Sequence, residues 1–420
     1  MRIRIFLLLI FFCLVENTGV ACGKNVKINT GSDIKRIATP GTRYIISGSI
    51  DLKNQTIEMP AQCILEFANG GLLSNGTIIG KSSVIKAPQR LILQNMVVDG
   101  DWDNKEVYSN WVNLAENYAD NTQNFRNLMK LCNGSRLTHF YMQEGKYYVS
   151  AVKGSASILV PSNTYWHNSA TICMLPSDYE KYFIVYLNMV DNVTIDGGEF
   201  IGDALNHTGT TGELGHGIKC GGARNVRLAN LTVSYCWGDG IDLIEGLYKG
   251  QVSRICDKII IENVKCLHNR RQGMSIEAAS NLQVSNCEFA YTGSPLYTAP
   301  GCGVDIEPWD NSCDKVWNVS FTNCKMHHNK NYDFICEPNV SKKEKYKQLK
   351  NNVYLSNCQI GAALVRYVYG VKLSKCTVSD KLSMTMAEDI LIKDSHIEDY
   401  SKTVFVNKLQ FKRCTGRKIK

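Results

Sequence analysis

The sequence predicts an all-β solenoid in which short parallel strands stack coil upon coil. Three observations carry that expectation: a phrase that returns at least eight times after residue 190, copy intervals that match the length of a coil, and a second aligned phrase in the longer coils. The first phrase opens on Asn or another polar residue, runs apolar–x–apolar–x, and closes on Asn and often Cys. Asn281-Leu-Gln-Val-Ser-Asn-Cys, Asn318-Val-Ser-Phe-Thr-Asn-Cys and Asn352-Val-Tyr-Leu-Ser-Asn-Cys are three of its copies. Period-two alternation marks a half-buried strand. Its recurrence at a fixed interval means one such strand per coil, each coil burying its apolar face on its neighbours.

Taken from the N-terminus, residues 1–21 read as a secretory signal: Arg2 and Arg4 start it, 6–15 form its apolar core, and Gly19-Val-Ala21 is the small-residue cleavage site. The apolar run is about half the roughly 20 residues a membrane span needs. Export is therefore expected, to the periplasm, the outer membrane or the medium. Cys22 resembles a bacterial lipoprotein site, with Gly19 where Leu is usual; a lipid there is the one membrane attachment the sequence allows. Residues 22–100 hold less regular strands and are expected to form a β cap or opening coils, with the coiled solenoid proper over 101–420. One short helix is expected at about 121–132, where Phe125, Leu128, Met129 and Cys132 follow the i, i+3, i+4, i+7 pattern after Asp120 or Asn121.

The first apolar positions of the phrase fall at Val193, Val226, Ile259, Leu282, Val319, Val353, Val371, Ile390 and Leu409, at intervals of 33, 33, 23, 37, 34, 18, 19 and 19. A bare coil needs about 20 residues. The last coils are bare, so the longer ones between 195 and 350 carry added loops, where function usually sits. Seventeen cysteines in an exported chain normally suggest disulfides, yet Cys287, Cys324, Cys358, Cys376 and Cys414 occupy one slot of the phrase and are expected to stack inside as small apolar groups. No Cys/His quartet has zinc spacing, and no metal is expected. The net charge of +8 is spread along the chain, which points away from nucleic acid and leaves an anionic partner open.

The second phrase reads Gly217-Ile-Lys-Cys-Gly, Gly240-Ile-Asp-Leu-Ile-Glu, Gly273-Met-Ser-Ile-Glu, Gly303-Val-Asp-Ile-Glu and Asp333-Phe-Ile-Cys-Glu. Alternation sends Lys219, Asp242, Ser275 and Asp305 outward at one level, and Glu277, Glu307 and Glu337 at the next. Coils about 4.8 Å apart turn these into columns on one face. Loops at 201–214 and 291–300 precede the strip, and loops at 245–256, 309–316 and 338–350 follow it. A carboxylate strip walled by loops is a groove for an extended chain, and two carboxyls flanking a glycosidic bond are what its hydrolysis requires. Asp242, Asp305, Glu307 and Glu277 are the catalytic candidates. His216, Lys219, Trp237, Asp239, Arg270, Arg271 and Trp309 lie on the same coils and are the substrate-binding candidates, since arginine clamps carboxylates and indole stacks on sugar faces.

The cap phrase Cys63-Ile-Leu-Glu-Phe with Ser74-Asn-Gly-Thr-Ile-Ile-Gly, the helix followed by Glu144-Gly-Lys-Tyr, and the coil phrases together resemble the pectin-lyase-like superfamily of right-handed parallel β-helices, of the bacterial exported, polysaccharide-active type. That resemblance implies a right-handed coil and a polysaccharide partner, acidic ones included. It leaves three readings open: a glycoside hydrolase, a lyase or epimerase of uronate glycans using Arg271, Lys219 or His216 as base, and a glycan-binding protein without activity. No cofactor is implied except Ca²⁺ under the lyase reading. Gly215-His-Gly and Gly238-Asp-Gly resemble polygalacturonase motifs, but Gly240 stands where the second Asp belongs. Gly303-Val-Asp-Ile-Glu-Pro resembles an epimerase strand that lacks its His.

Overall fold

The structure is a computed structural model that describes residues 23–248, 251–308, 315–338, 350–403 and 405–419. The signal segment, Cys22 and Trp309 lie outside the described residues. Strands dominate, in sheets of 18, 12 and 7 strands with one small two-stranded ribbon. The nine first apolar positions pair in unbroken parallel register: Val193↔Val226, Val226↔Ile259, Ile259↔Leu282, Leu282↔Val319, Val319↔Val353, Val353↔Val371, Val371↔Ile390 and Ile390↔Leu409. A one-residue slip would turn every Val and Leu of a coil to solvent, which is why the register is strict. The chain is a right-handed parallel β-helix, and among the described residues it is all-β but for one α-helix and two short 3-10 turns.

The polar residues of the repeated phrase make the corners. Asn192, Asn225, Asn281 and Asn318 adopt positive φ, between 52° and 60°, which Asn tolerates better than most residues. Their amides form a ladder: Asn225 Nδ2 donates to Asn192 Oδ1 at 2.7 Å, and Asn318 Nδ2 to Asn281 Oδ1 at 2.6 Å. A second ladder runs Asn357 to Asn323 to Asn286 at 2.7 and 3.1 Å. Cys287, Cys324, Cys358 and Cys376 are buried free thiols, and Cys324 and Cys376 donate S–H to the carbonyls of Val284 and Leu355 at 3.6 and 3.4 Å. Cys414 sits in the last coil and is only half-buried.

The helix Thr122–Leu131 buries Phe125, Leu128, Met129 and Leu131. Asp120 accepts from the Thr122 amide at 2.9 Å. Asn127 of the helix accepts from Val98 N–H at 3.0 Å and donates to Met96 O at 2.7 Å, so its amide closes the edge of the strand Leu93–Trp102. An unpaired edge there would recruit other chains. Among the described residues no helix is long and apolar enough to cross a membrane.

Candidate functional site

The strands Leu214–Gly221, Ile241–Ile244, Gln272–Ile276, Cys302–Ile306 and Phe334–Cys336 lie side by side, paired Lys219↔Asp242, Asp242↔Ser275, Ser275↔Asp305 and Asp305↔Ile335. The column expected from the second phrase is therefore present. Glu277 and Glu307 follow two residues on, their amides bonded to Leu243 O and Ile276 O at 2.9 and 3.0 Å. The glycines that start the strands let the coils approach closely: a Cβ on Gly303 would meet Asp333 O at 2.6 Å and Asn329 Nδ2 at 2.7 Å.

The strip is not the solvent-facing one that alternation suggests. Asp242 is 1% exposed, Asp305 4%, Glu307 6% and Lys219 8%, because their neighbours in the column and the flanking loops fold over them. Charges so deep persist only when paired. Lys219 donates to Asp242. Arg271 Nη1 donates to Asp239 Oδ2 at 2.8 Å and its Nη2 to Glu307 Oε1 at 3.3 Å, while Glu307 Oε1 also accepts from Gln272 at 2.9 Å and Ser275 at 2.9 Å. Gln272 Nε2 reaches Asp305 Oδ2 at 3.1 Å. Even so, Asp239 Oδ1, Asp242 Oδ1, Asp305 Oδ1, Arg271 Nε and Gln272 Oε1 are buried with no hydrogen bond among the described residues. Unmet polar atoms gathered at one place are costly to folding, and their clustering here makes the strip the candidate site.

Two clefts open on the strip. One, of about 610 Å³, is lined by Lys181, Tyr186, His216, Lys219, Asp242 and Glu277. The other, of about 910 Å³, is lined by Glu213, Arg271, Asp305, Glu307, Lys330 and Glu337. The four catalytic candidates thus separate into Asp242 with Glu277 and Asp305 with Glu307, and Arg271 ties the two regions through Asp239 and Glu307.

Protonation divides the carboxyls. Burial opposes the charge of Asp242, but the paired Lys219 ammonium, aided by Arg271, outweighs it and holds the carboxyl below its ordinary range. Burial, with the charges of Asp242 and Glu307, pushes Glu277 up to about 9. Burial and Glu307 likewise raise Asp305 well above the usual carboxylate range. Burial drives His216 down to about 3, so its ring is neutral at physiological pH. Asp239 N–H donates to His216 Nδ1 at 3.0 Å, which leaves the ring proton on Nε2, 3.7 Å from Asp242 Oδ2. Burial pulls against the Lys219 charge too, yet Asp242 keeps that ammonium above its usual value. Among the described residues no group of three or more His, Cys, Asp or Glu side chains is arranged to hold a metal ion.

Two binding expectations need correction. The Trp237 indole is stacked on His207 at 3.9 Å and lies under the Arg270 guanidinium at 3.7 Å, so no free ring face is left for a sugar. Arg270 is spent on the carbonyls of Gly212 and Trp237, both at 2.9 Å. Both residues serve the loop before the strip, which is also pinned where Asp203 accepts from Ser177 N–H at 3.0 Å and pairs with His207 at 2.9 Å. Asp239, Arg271, His216 and Lys219 do converge on the strip. Sequence reasoning missed Gln272, Glu213, Tyr186 and Lys181. Gln272 sits directly before the Gly273 phrase and had a signal of place; the other three are brought in by neighbouring coils and loops and had none.

A family model for a right-handed β-helix region matches residues 147–315. The uncharacterized protein YclG of Bacillus subtilis is 30% identical over 203 residues, 44% of this chain and 35% of its own length. The prophage-derived YorA of the same organism is 26% identical over 167 residues, 37% of this chain and 28% of its own. The chain thus spans about a third of the length of these curated relatives. Among solved structures, the A-modules of the Azotobacter vinelandii mannuronan C-5 epimerases AlgE6 and AlgE4 share the fold, at 11% identity. Their TM-scores are 0.51 and 0.50, over 75% and 74% of this chain and 100% and 97% of theirs. Its parallel coils, the matched region and these shared folds together give the chain the right-handed parallel β-helix fold.

Proposed function

We propose that this protein is an exported polysaccharide-cleaving enzyme, a glycoside hydrolase whose acid–base pair is Glu277 and Asp242. The observation that carries this reading is that two carboxyls lining one cleft are held in opposite protonation states. Environments that push neighbouring acids apart assign the donor and the acceptor. Glu277, protonated up to about pH 9, gives its proton to the leaving oxygen; Asp242, kept ionised by Lys219, takes the proton of the attacking water. Glu277 lies one coil up and two residues along from Asp242, a diagonal of about 8 Å between backbones by strand spacings, so the two carboxyls face one cleft from adjacent coils.

The second cleft, in line along the strip, gives an extended chain further purchase, with Glu307 oriented by Arg271, Gln272 and Ser275 as a binding group. A polysaccharide substrate also agrees with the fold's occurrence in mannuronan C-5 epimerases. Elimination is less favoured, because Lys219 is held protonated by Asp242 and His216 Nδ1, the ring nitrogen free of a proton, already accepts from Asp239 N–H. The test is purified protein against neutral and acidic polysaccharides, read for reducing ends and for ultraviolet-absorbing unsaturated uronate. Reducing ends alone, lost in Asp242→Asn and Glu277→Gln, support hydrolysis; unsaturated products contradict it.

A further inference from the structure

We propose a second carbohydrate site, distinct from the strip, at the seam between the N-terminal sheet and the first strand of the 12-stranded sheet, and that it takes an acidic sugar unit bearing a carboxylate. In the N-terminal sheet, pairing between the strands Leu72–Lys86 and Leu93–Trp102 runs as far as Ser83↔Trp102, and the 12-stranded sheet begins at Glu106–Tyr108. Between them lies a cavity of about 480 Å³, lined from both sides. It falls inside the roughly 300–1,000 Å³ typical of small-molecule sites. The seam is built and not a packing fault: the Asn104 side chain accepts from the Ile85 amide at 2.7 Å and donates to Leu131 O at the end of the helix at 2.9 Å, while its carbonyl accepts from the Thr138 hydroxyl of the 12-stranded sheet at 2.6 Å.

The lining has the two features an acidic sugar needs. Its floor is apolar and aromatic, from Ile64, Val84, Ile85, Tyr108 and Trp111. Both aromatic polar tips are engaged: Trp111 Nε1 donates to Pro88 O at 3.1 Å and Tyr108 OH to Glu106 Oε2 at 2.7 Å, which fixes the rings; Trp111 is buried, so the half-buried Tyr108, stacked on one side against Tyr141, is the aromatic surface offered to the C–H face of a pyranose. The rim carries Lys86, Lys105 and Arg136, none of which makes an ion pair among the described residues. The two acids present are both hydrogen-bonded. Asp103 accepts from the Ser135 amide and hydroxyl at 2.8 and 3.0 Å, and Glu106 holds Tyr108. Three cations against two carboxylates leave the rim with one positive charge in surplus, and arginine with lysine is the donor set that recognises a carboxylate.

The proposal reads binding and not turnover, so it stands or falls separately from the hydrolase assignment. Titrate the full chain with D-glucuronate by saturation-transfer NMR, with glucose and inorganic sulfate as parallel probes. Saturable glucuronate binding is expected, with glucose and sulfate each weaker by about tenfold or more. Arg136→Ala and Lys105→Ala should each weaken glucuronate by about tenfold or more, Arg136→Lys should restore part of it, and Asp242→Asn should leave it unchanged. Near-ultraviolet dichroism confirms that each variant is folded. No saturable binding, sulfate binding as tight as glucuronate, unaltered binding in both alanine variants, or loss in Asp242→Asn would each overturn the proposal.

Discussion

Replacing Glu277 with Gln separates what the site does for chemistry from what it costs the fold. A carboxyl whose folded pKa is raised stays protonated in the native state while the unfolded chain ionises, so unfolding gains at every pH between the two values. For Glu277 that window runs from 4.5 to about 9. Each pH unit within it costs the native state about 1.36 kcal/mol, which from 4.5 to pH 7 accumulates to about 3 kcal/mol. Neutral Gln, of almost the same shape, escapes this cost. Glu277→Gln should therefore be more stable than the wild type by about 2–3 kcal/mol at pH 7 and equal to it at pH 4, while cleavage falls by about 10²–10⁴-fold through loss of the proton donor. Urea unfolding followed by circular dichroism at both pH values reads the first effect, and reducing-end release reads the second. A stability difference that does not change with pH would refute the claim that burial holds this carboxyl protonated.

Further expectations rest on the same geometry. Asp242→Asn should lower cleavage by about 10²–10⁴-fold with little change in substrate affinity, checked by comparing kcat with KM. Lys219→Met removes the largest influence opposing burial at Asp242, so its carboxyl rises and the acidic limb of the pH–rate profile moves to higher pH; an unmoved limb would show that Lys219 does not hold Asp242 ionised. Leu228→Ala, at a fully buried position of the Val226 coil, should cost about 2–5 kcal/mol in urea unfolding without altering the pH profile of the remaining activity.

The coil architecture was legible because it is one-dimensional: the same apolar–x–apolar phrase fixes each strand, and each strand meets only its neighbours, so register from Val193 to Leu409 follows from alignment alone. The column Lys219, Asp242, Ser275, Asp305 was legible for the same reason. Burial of that column was not. Alternation says which way a side chain points from its own coil, but not what loop lies above it, and the loop over Trp237 is held by Asp203, His207 and Arg270 through contacts with no period in the sequence. The pairing of Asp242 with Glu277 in one cleft was hidden likewise, since it joins two columns diagonally where stacking alone joins Glu277 to Glu307. The seam cavity arises where the repeat has not yet begun, so the phrase that reveals the coils says nothing of it.

Difference infrared spectroscopy of the carboxyl stretch tests the central claim most directly and needs no substrate. At pH 7 the wild-type protein should retain a protonated-carboxylic band, part of which vanishes in Glu277→Gln and titrates near pH 9 in the wild type. A spectrum unchanged by Glu277→Gln, or a Glu277 band that disappears between pH 4 and 5, would contradict the division of proton donor and acceptor in this cleft.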